Sequence, residues 1–152
     1  GMTTVFASPD VLLDAVGRDL GHSEWVSIEQ ERIDQFAEAT GDFQWIHVDP
    51  EAAADGPFGA TIAHGYLTLA ITNQFLPEIM RVDGASMGVN YGANKVRFPM
   101  PVIVGSRIRA GAVVTEAEEI TGGVQVVVTI TVEIDGQAKP ACVVESVSRF
   151  LR

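Results

Sequence analysis

An acidic residue and a histidine stand five positions apart in the segment 41–50, at Asp42 and His47. A carboxylate beside an imidazole is a common arrangement for moving a proton near neutral pH. Loops that rigid elements hold in place often carry such groups. The spacing alone also fits a plainer interpretation, in which Asp42 only caps a helix and His47 is a buried polar residue bonded to the backbone.

A second candidate group lies at the start of a predicted helix, in the sequence Ala63-His64-Gly65-Tyr66. The first N–H groups of a helix lack internal acceptors and lie at its positive end, so they suit a negatively charged oxygen. Gly65 would let a ligand approach the backbone, or would equally allow tight helix–sheet packing. His64 is interpreted as structural. Asn73, two turns further on, is either a satisfied core amide or a group that faces the same cavity as Gly65.

Four of the ten basic residues lie within fifteen positions, at Lys95, Arg97, Arg107 and Arg109. The net charge of −10 argues against nucleic acid or an anionic membrane as a partner, because both require a positive field. Anionic phosphates would therefore dock at these four side chains, unless they are only the solvated faces of strands.

Two helices must position these groups. The first begins at a predicted capping box, in which Ser27 stands three residues before Gln30. It ends at Gly41, because glycine adopts the left-handed closing conformation at little cost. Asp42 therefore lies in a loop directly after this helix. The second helix, over residues 64–80, has apolar residues on most sides, which predicts that it is buried nearly all round.

Shorter signals surround the two helices. Asp49 and Pro50 predict a cap and the first position of a short helical turn that runs to Ala54. Further along the chain, Asp135 and Gly136 predict a tight hairpin turn.

From residue 86 onward the apolar period changes to two, which is typical of half-buried antiparallel strands. Helices followed by a run of strands predict an α+β fold, with a curved antiparallel sheet covering the long helix. The length predicts a single domain over residues 2–152, with Gly1 interpreted as an expression scar and set aside.

Composition and missing motifs exclude other classes of function. Cys142 is the only cysteine, so it cannot form an intrachain disulfide, and it is predicted to be a small core residue. The sequence has no signal-peptide pattern, membrane-spanning run, metal motif, phosphate loop or dinucleotide fingerprint. We therefore expect a cytoplasmic protein without a metal or cofactor.

Several stretches together resemble the hydratase motif of MaoC-like and (R)-specific enoyl-CoA hydratases. They are Ala39-Thr40-Gly41-Asp42-Phe43-Gln44-Trp45-Ile46-His47-Val48-Asp49-Pro50, Ile62-Ala63-His64-Gly65, Asn94-Lys95-Val96-Arg97-Phe98-Pro99-Met100-Pro101-Val102 and Gly105-Ser106-Arg107-Ile108-Arg109. The order of elements is similar from residue 27 to the end. Many relatives carry Asn-Pro where this chain has Gln44-Trp45, which leaves the acyl chain length open.

The resemblance implies a hot-dog fold, in which a bent antiparallel sheet wraps a long helix and two subunits join their sheets as a homodimer. It implies that Asp42 and His47 activate a water that adds to a trans-2-enoyl-CoA, giving a (R)-3-hydroxyacyl-CoA. It further implies that the Gly65 amide polarises the thioester carbonyl. No cofactor is implied.

Further residues are expected to contact the substrate. These are Trp45, Tyr66, Asn73, Lys95, Arg97 and Arg109. Trp45 would reshape the pocket or cover the acyl chain, and Asn73 would orient the water or the acyl chain.

Two other functions are compatible with the same residues. A hot-dog acyl-CoA thioesterase would share the fold and ligand, but its water would attack the carbonyl carbon. A non-catalytic acyl-thioester binding protein would bind without turnover. The sequence also leaves open whether coenzyme A or a carrier protein presents the acyl group, and which of Asp42 and His47 protonates C2.

Overall fold

A long helical segment lies across one face of an antiparallel sheet in the computed structural model, which describes residues 2–152 and leaves Gly1 outside. In chain order the elements are β1 (Thr4–Phe6), a 3₁₀ turn (Pro9–Asp14), β2 (Asp19–His22), β3 (Val26–Ser27), α1 (Gln30–Thr40), α2 (Trp45–Val48), α3 (Pro50–Ala54), α4 (Gly65–Ala70), α5 (Thr72–Ile79), β4 (Met80–Val82), β5 (Met87–Arg97), β6 (Arg107–Ile120), β7 (Gly123–Ile134) and β8 (Cys142–Leu151).

The main sheet has the strand order β2-β6-β7-β8-β5, and β3 pairs with the end of β6. All of these pairings are antiparallel. A separate parallel pair joins β1 to β4. The β5 strand is an edge strand, since β8 is its only partner within residues 2–152.

The core lies between the helical segment and one face of this sheet. Alternate residues of β7 supply much of it, at Val124, Val126, Val128, Ile130, Val132 and Ile134, each 5% exposed or less. The helices contribute Phe75 and Ile79, which are 0% and 1% exposed. The α+β prediction is confirmed, and so is the arrangement within one chain that the resemblance implies, an antiparallel sheet packed on a central helical segment.

The predicted helix over residues 64–80 is two helical segments, α4 and α5, that meet at Ile71. The path stays helical, because the Ile71 N–H donates to the Leu67 carbonyl and the Phe75 N–H donates to the Ile71 carbonyl. One prediction about this segment was wrong. Its outer side is not covered by the sheet, and the exposed residues there are Tyr66, Ala70, Asn73, Gln74 and Pro77.

Several local predictions are confirmed. Gly41 ends α1 with φ of 80°, and its N–H donates to the Ala37 carbonyl. The Asp49 carboxylate accepts a hydrogen bond from the Ala52 N–H, with Pro50 at the first position of α3. Cys142 is a core residue with 0% exposure, and burial raises the pKa of its thiol to about 11.

One cap prediction was wrong, and one turn prediction is confirmed only in part. Ser27 belongs to β3 rather than to a capping box, and the helix begins after Glu29 without a side-chain cap. Asp135 and Gly136 do form a turn, in which the Gln137 N–H donates to the Ile134 carbonyl, but the connection between β7 and β8 continues to residue 141 and is not a two-residue hairpin. The Asp135 side chain instead pairs with Arg107 on β6.

Residues 2–26 carry no clear sequence pattern, yet they include β1, the 3₁₀ turn and β2. Phe6 and Leu12 from this segment are 1% and 0% exposed and join the core. None of the helices within residues 2–152 has the length and apolar content needed to cross a bilayer.

Candidate active site

Two helix ends bring the predicted acid and histidine together. The α1 helix ends at Gly41, so Asp42 begins the loop that leads into α2, and α2 carries His47. The Asp42 side chain is exposed, and its Oδ1 accepts a hydrogen bond from the Gln44 N–H at 3.3 Å. One carboxylate oxygen of Asp42 and one ring nitrogen each of His47 and His64 all lie within 4.8 Å of one another.

The hydrogen bond of His47 determines which of its ring nitrogens is free. His47 is 7% exposed, and its Nδ1 lies 2.7 Å from the Ile62 carbonyl oxygen. A carbonyl oxygen can only accept, so Nδ1 carries the proton. In the neutral ring Nε2 therefore holds the lone pair. Beside a carboxylate, such a nitrogen can take a proton from a bound water.

His64 contacts both of these residues, although it is interpreted from the sequence only as structural. Its Nε2–H donates to the Asp42 backbone carbonyl at 3.0 Å. Its ring stacks on the His47 ring, with centroids 3.9 Å apart and an interplanar angle of 22°. His64 is 3% exposed, and its Nδ1 has no partner among residues 2–152. The signal that could have found it is its place directly before Gly65.

A cavity of about 280 Å³ lies beside His47. Its lining includes His47, Gly65, Thr68 and Phe98. A Cβ added to Gly65 would come 3.0 Å from the Phe98 ring, so the glycine is needed for this close contact. The packing interpretation of Gly65 therefore has direct support. Phe98 was not among the predicted site residues, and it forms one wall of the cavity.

Gln30 links α1 to the site in a way that the capping-box prediction missed. Its Nε2 donates to the His47 backbone carbonyl at 2.8 Å and to an Asp34 carboxylate oxygen at 2.9 Å. Its Oε1 accepts from the Thr61 hydroxyl. Gln30 thus holds the segment that carries His47 against α1.

Asn73 and Tyr66 do not line the cavity beside His47. They line a separate groove of about 330 Å³, between the outer side of the helical segment and the β5 and β8 strands. Eight residues turn a helix by two full turns and about 80° more, so Asn73 and Gly65 face different directions.

Trp45 begins α2, and its ring lies against Gly56, where an added Cβ would meet it at 3.0 Å. The residue is 44% exposed and is not part of the lining of the cavity beside His47.

The four predicted docking cations do not form one cluster. Lys95 and Arg97 lie on β5, whereas Arg107 and Arg109 lie on β6, and β7 and β8 separate these strands. The two pairs of cations therefore lie three strand spacings apart, which is roughly 14 Å. Arg109 donates to a Glu133 carboxylate oxygen at 2.8 Å.

Arg107 and Arg109 instead share a tryptophan. Their guanidinium carbons lie 5.2 Å and 4.5 Å from the centroid of the Trp25 ring. Arg107 also pairs with Asp135 at 3.1 Å. The structure therefore brings Asp42, His47 and Gly65 to one region. Arg109 instead contacts Glu133 and Trp25.

The same three side chains, Asp42, His47 and His64, are spaced closely enough to raise the question of a metal ion. Metal–nitrogen bonds of about 2.0–2.1 Å lie in the plane of the imidazole ring. The two histidine rings are nearly parallel and stacked, so they direct such bonds side by side rather than to one point. The geometry fits hydrogen bonding better than a shared ion.

Comparison with known proteins identifies the family of this chain. A family description, "MaoC like domain", matches residues 12–136. The chain belongs to the MaoC-like dehydratase family. The MaoC-like match includes Asp42, His47, His64 and Gly65, so all four residues of the site lie within the shared domain.

Relatives of this MaoC-like chain include named enzymes. The chain is 52% identical over 147 residues to "3-hydroxyacyl-thioester dehydratase Z" of Mycobacterium tuberculosis, covering 96% of this chain and 97% of that protein. It is 45% identical over 130 residues to "Nodulation protein N" of Rhizobium leguminosarum bv. viciae, covering 83% and 80%. The solved (R)-hydratase from A. caviae involved in PHA biosynthesis is similar with a TM-score of 0.68 at 25% identity, covering 89% and 96%.

Proposed function

We propose that this chain adds water to a trans-2-enoyl thioester to give a (R)-3-hydroxyacyl thioester, and catalyses the reverse dehydration. The observation that carries the proposal is the approach of the Asp42 carboxylate to a ring nitrogen of His47, beside a cavity that Gly65 lines. The 52% identical relative, named a 3-hydroxyacyl-thioester dehydratase, supports the same reaction class.

The Asp42–His47 pair would bind and activate the water. The free Nε2 of His47 takes a proton as the water oxygen bonds to C3 of the enoyl group. Electrons move from the C2–C3 double bond toward the thioester carbonyl, and C2 then receives a proton from the pair. General acid–base catalysis of this kind contributes roughly 10²–10⁴-fold.

The Gly65 amide would stabilise the negative charge that develops on the thioester oxygen. It is the first residue of α4, where backbone N–H groups lack intrahelical acceptors. One such donor is worth about 3 kcal/mol in comparable enzymes. Phe98 would keep water away from this oxygen, because its ring lies against Gly65.

Further residues would contact the substrate outside the cavity beside His47. Lys95 and Arg97 are exposed at the end of β5, directly before Phe98, and would attract the phosphates of coenzyme A or of a carrier. Asn73 and Tyr66 line the separate groove, so they would contact only an acyl chain that extends beyond the cavity beside His47. Trp45, whose ring lies against Gly56, would cover the acyl chain rather than line the cavity beside His47.

We also propose a homodimer and a cytoplasmic location. The free edge of β5 and the exposed outer side of α4 and α5 support the dimer, since both are surfaces that a second copy could cover. The location rests only on the sequence.

The test is to mix the protein with crotonyl-CoA and follow the loss of the conjugated enoyl absorbance, with a thiol reagent in a parallel cuvette. Asp42→Asn should reduce turnover by orders of magnitude and leave the fold intact, because the exposed side chain has one long bond that asparagine can also accept. Cys142 should give no background with the reagent, since it is buried and burial raises its thiol pKa to about 11.

Each alternative gives a different result. Thiol release from a saturated acyl-CoA would identify a thioesterase. Ligand binding without turnover, for enoyl chains of several lengths, would identify a binding protein. Full activity in Asp42→Asn would remove this residue from the mechanism.

A further inference from the structure

We propose that His64 is a positioning residue that holds Asp42 and His47 in their reactive geometry, an inference that rests on the proposed function. Its ring makes two separate contacts, one with each member of the pair. The first is the hydrogen bond from Nε2–H to the Asp42 carbonyl at 3.0 Å, and the second is the stack on His47 at 3.9 Å.

The contact with Asp42 matters because little else restrains this residue. The Asp42 side chain is exposed, and its carboxylate makes one 3.3 Å bond to the Gln44 N–H. Within residues 2–152, His64 alone donates to the Asp42 backbone carbonyl. This bond therefore fixes the point on the loop from which the carboxylate extends toward His47.

The contact with His47 restrains the other half of the pair. The Ile62 carbonyl fixes the direction of His47 Nδ1, and the His64 ring lies flat against the His47 ring. Phe36 packs on His64 as well, with ring centroids 5.0 Å apart. Because Nδ1 of the His47 ring is hydrogen-bonded and one face of the ring is covered by His64, the ring has little freedom to rotate.

Packing alone does not account for a histidine at this position. A phenylalanine would fill a similar flat space, and the structure would then have no buried unpartnered nitrogen where His64 Nδ1 now lies. The distinguishing property of histidine is the N–H on Nε2, which reaches the Asp42 carbonyl across 22 positions of sequence. The hydrogen bond is thus the contact to test.

Three substitutions separate the hydrogen bond from the packing. His64→Phe keeps a ring against His47 but removes the donor. His64→Gln places an amide N–H close to the position of Nε2 and keeps the donor without the ring. His64→Asn is the matched control, because its shorter amide lies near the position of Nδ1 and cannot reach the Asp42 carbonyl.

We expect His64→Phe to lower kcat for crotonyl-CoA about 10²-fold with an unchanged KM and an undiminished Tm, since small displacements of reacting groups have effects of this size. His64→Gln should recover most of kcat, and His64→Asn should not. A merely structural role would change Tm rather than kcat alone. Equal kcat values for the Gln and Asn variants would overturn the proposal, even if the Phe variant does not fold.

Asp42→Asn in the same assay separates the two proposals. If the wild type hydrates the substrate, Asp42→Asn is inactive and His64→Phe is fully active, the positioning role is wrong and the hydratase function stands. If the wild type does not hydrate any enoyl thioester, the proposed function is wrong. Amide hydrogen exchange over residues 42–47 then decides the positioning role: about tenfold faster exchange in the Phe variant but not in the Gln variant supports it. Unchanged exchange overturns it.

Discussion

At the scale of single residues, the chemistry depends on which polar atoms already have a hydrogen-bond partner. His47 has one nitrogen bonded to the Ile62 carbonyl, which leaves the other available, and it is also the one residue of the pair that is buried. Asp42 contributes an exposed carboxylate that water can reach. A buried base beside an exposed acid can hold a water molecule between the protein interior and the solvent.

The close packing of Gly65 against Phe98 can be tested by adding one methyl group. Gly65→Ala would place a Cβ 3.0 Å from the Phe98 ring, so the ring or the start of α4 must shift. Because Phe98 is 41% exposed, the ring can move outward and the protein should fold. We expect kcat for crotonyl-CoA to fall about 10²-fold, because a shift at the start of α4 moves the Gly65 amide away from the thioester oxygen and the loss of one oxyanion donor costs about 10²–10³-fold.

The control for this prediction is the double variant Gly65→Ala with Phe98→Leu. The smaller side chain makes room for the added methyl group, so kcat should recover in part. A double variant no more active than Gly65→Ala alone would mean that the methyl group, not the displaced ring, blocks the site.

The sequence could predict some of these residues and not others. Asp42 and His47 stand close together along the chain, with a helix end beside them, so their approach follows from local signals. His64 lies 22 positions from Asp42, and a stack between rings of different elements has no signature in residue spacing. Arg97 and Arg109 show the converse. They are close in sequence but far apart in space, because β5 and β6 are not neighbours in the sheet.

At the scale of elements, α1, α2 and α4 converge on the site, and Gln30 joins the first two. Its amide reaches the His47 carbonyl, and its oxygen accepts from Thr61 in the segment that leads to α4. The predicted capping box assigned Gln30 a role within its own helix. Gln30 instead bonds to two polar groups near the site, the His47 carbonyl and the Thr61 hydroxyl, because such groups need partners when they are buried or partly buried.

Gln30→Leu tests this link between elements. The change leaves the His47 carbonyl and the Thr61 hydroxyl without their partner, which should lower the free energy of unfolding by about 1–3 kcal/mol. We also expect a lower kcat, because the segment carrying His47 loses its attachment to α1. Urea unfolding and the enoyl absorbance assay measure the two effects.

Gln35→Leu is the matched control, since Gln35 is exposed on the same helix. Surface changes of this kind usually stay within about 0.5 kcal/mol. If the two variants behave alike, the bonds of Gln30 contribute nothing to stability or to the site.

At the scale of the whole molecule, an anionic ligand must approach a chain with a net charge of −10. Screening limits charge effects to about 8 Å at physiological ionic strength, so nearby cations matter more than the total. Arg97 has no carboxylate partner among residues 2–152, whereas Arg109 is paired with Glu133 and lies over Trp25. The two arginines should therefore differ in their effect on substrate binding.

We expect Arg97→Ala to raise the KM for crotonyl-CoA several-fold with little change in kcat, and Arg109→Ala to leave KM near the wild-type value. Added salt should raise the wild-type KM and should have less effect on the Arg97 variant. Steady-state kinetics at two ionic strengths make both comparisons. A larger effect from Arg109→Ala would restore the docking role that the sequence predicted for it.

The assembly is the remaining property of the whole molecule, and the surface left open by the fold indicates where a second copy would lie. The β5 strand is exposed along nearly its full length, and Tyr66 and Tyr91 are 70% and 60% exposed. An uncovered edge strand is a template for pairing with another chain. The outer side of α4 and α5 lies across a groove from the same strand, so one partner could cover both.

Ala70→Arg should convert the expected dimer to a monomer, because it places a charged side chain in this groove. Ala39→Arg is the control: it adds the same charge at an exposed alanine on α1, and it should leave the dimer intact. Light scattering distinguishes one chain of 16.2 kDa from a pair. A wild-type protein that is monomeric at micromolar concentration would contradict the dimer, and dissociation by both variants would place the interface elsewhere. If Ala70→Arg is monomeric and still hydrates crotonyl-CoA, the site is complete in one subunit.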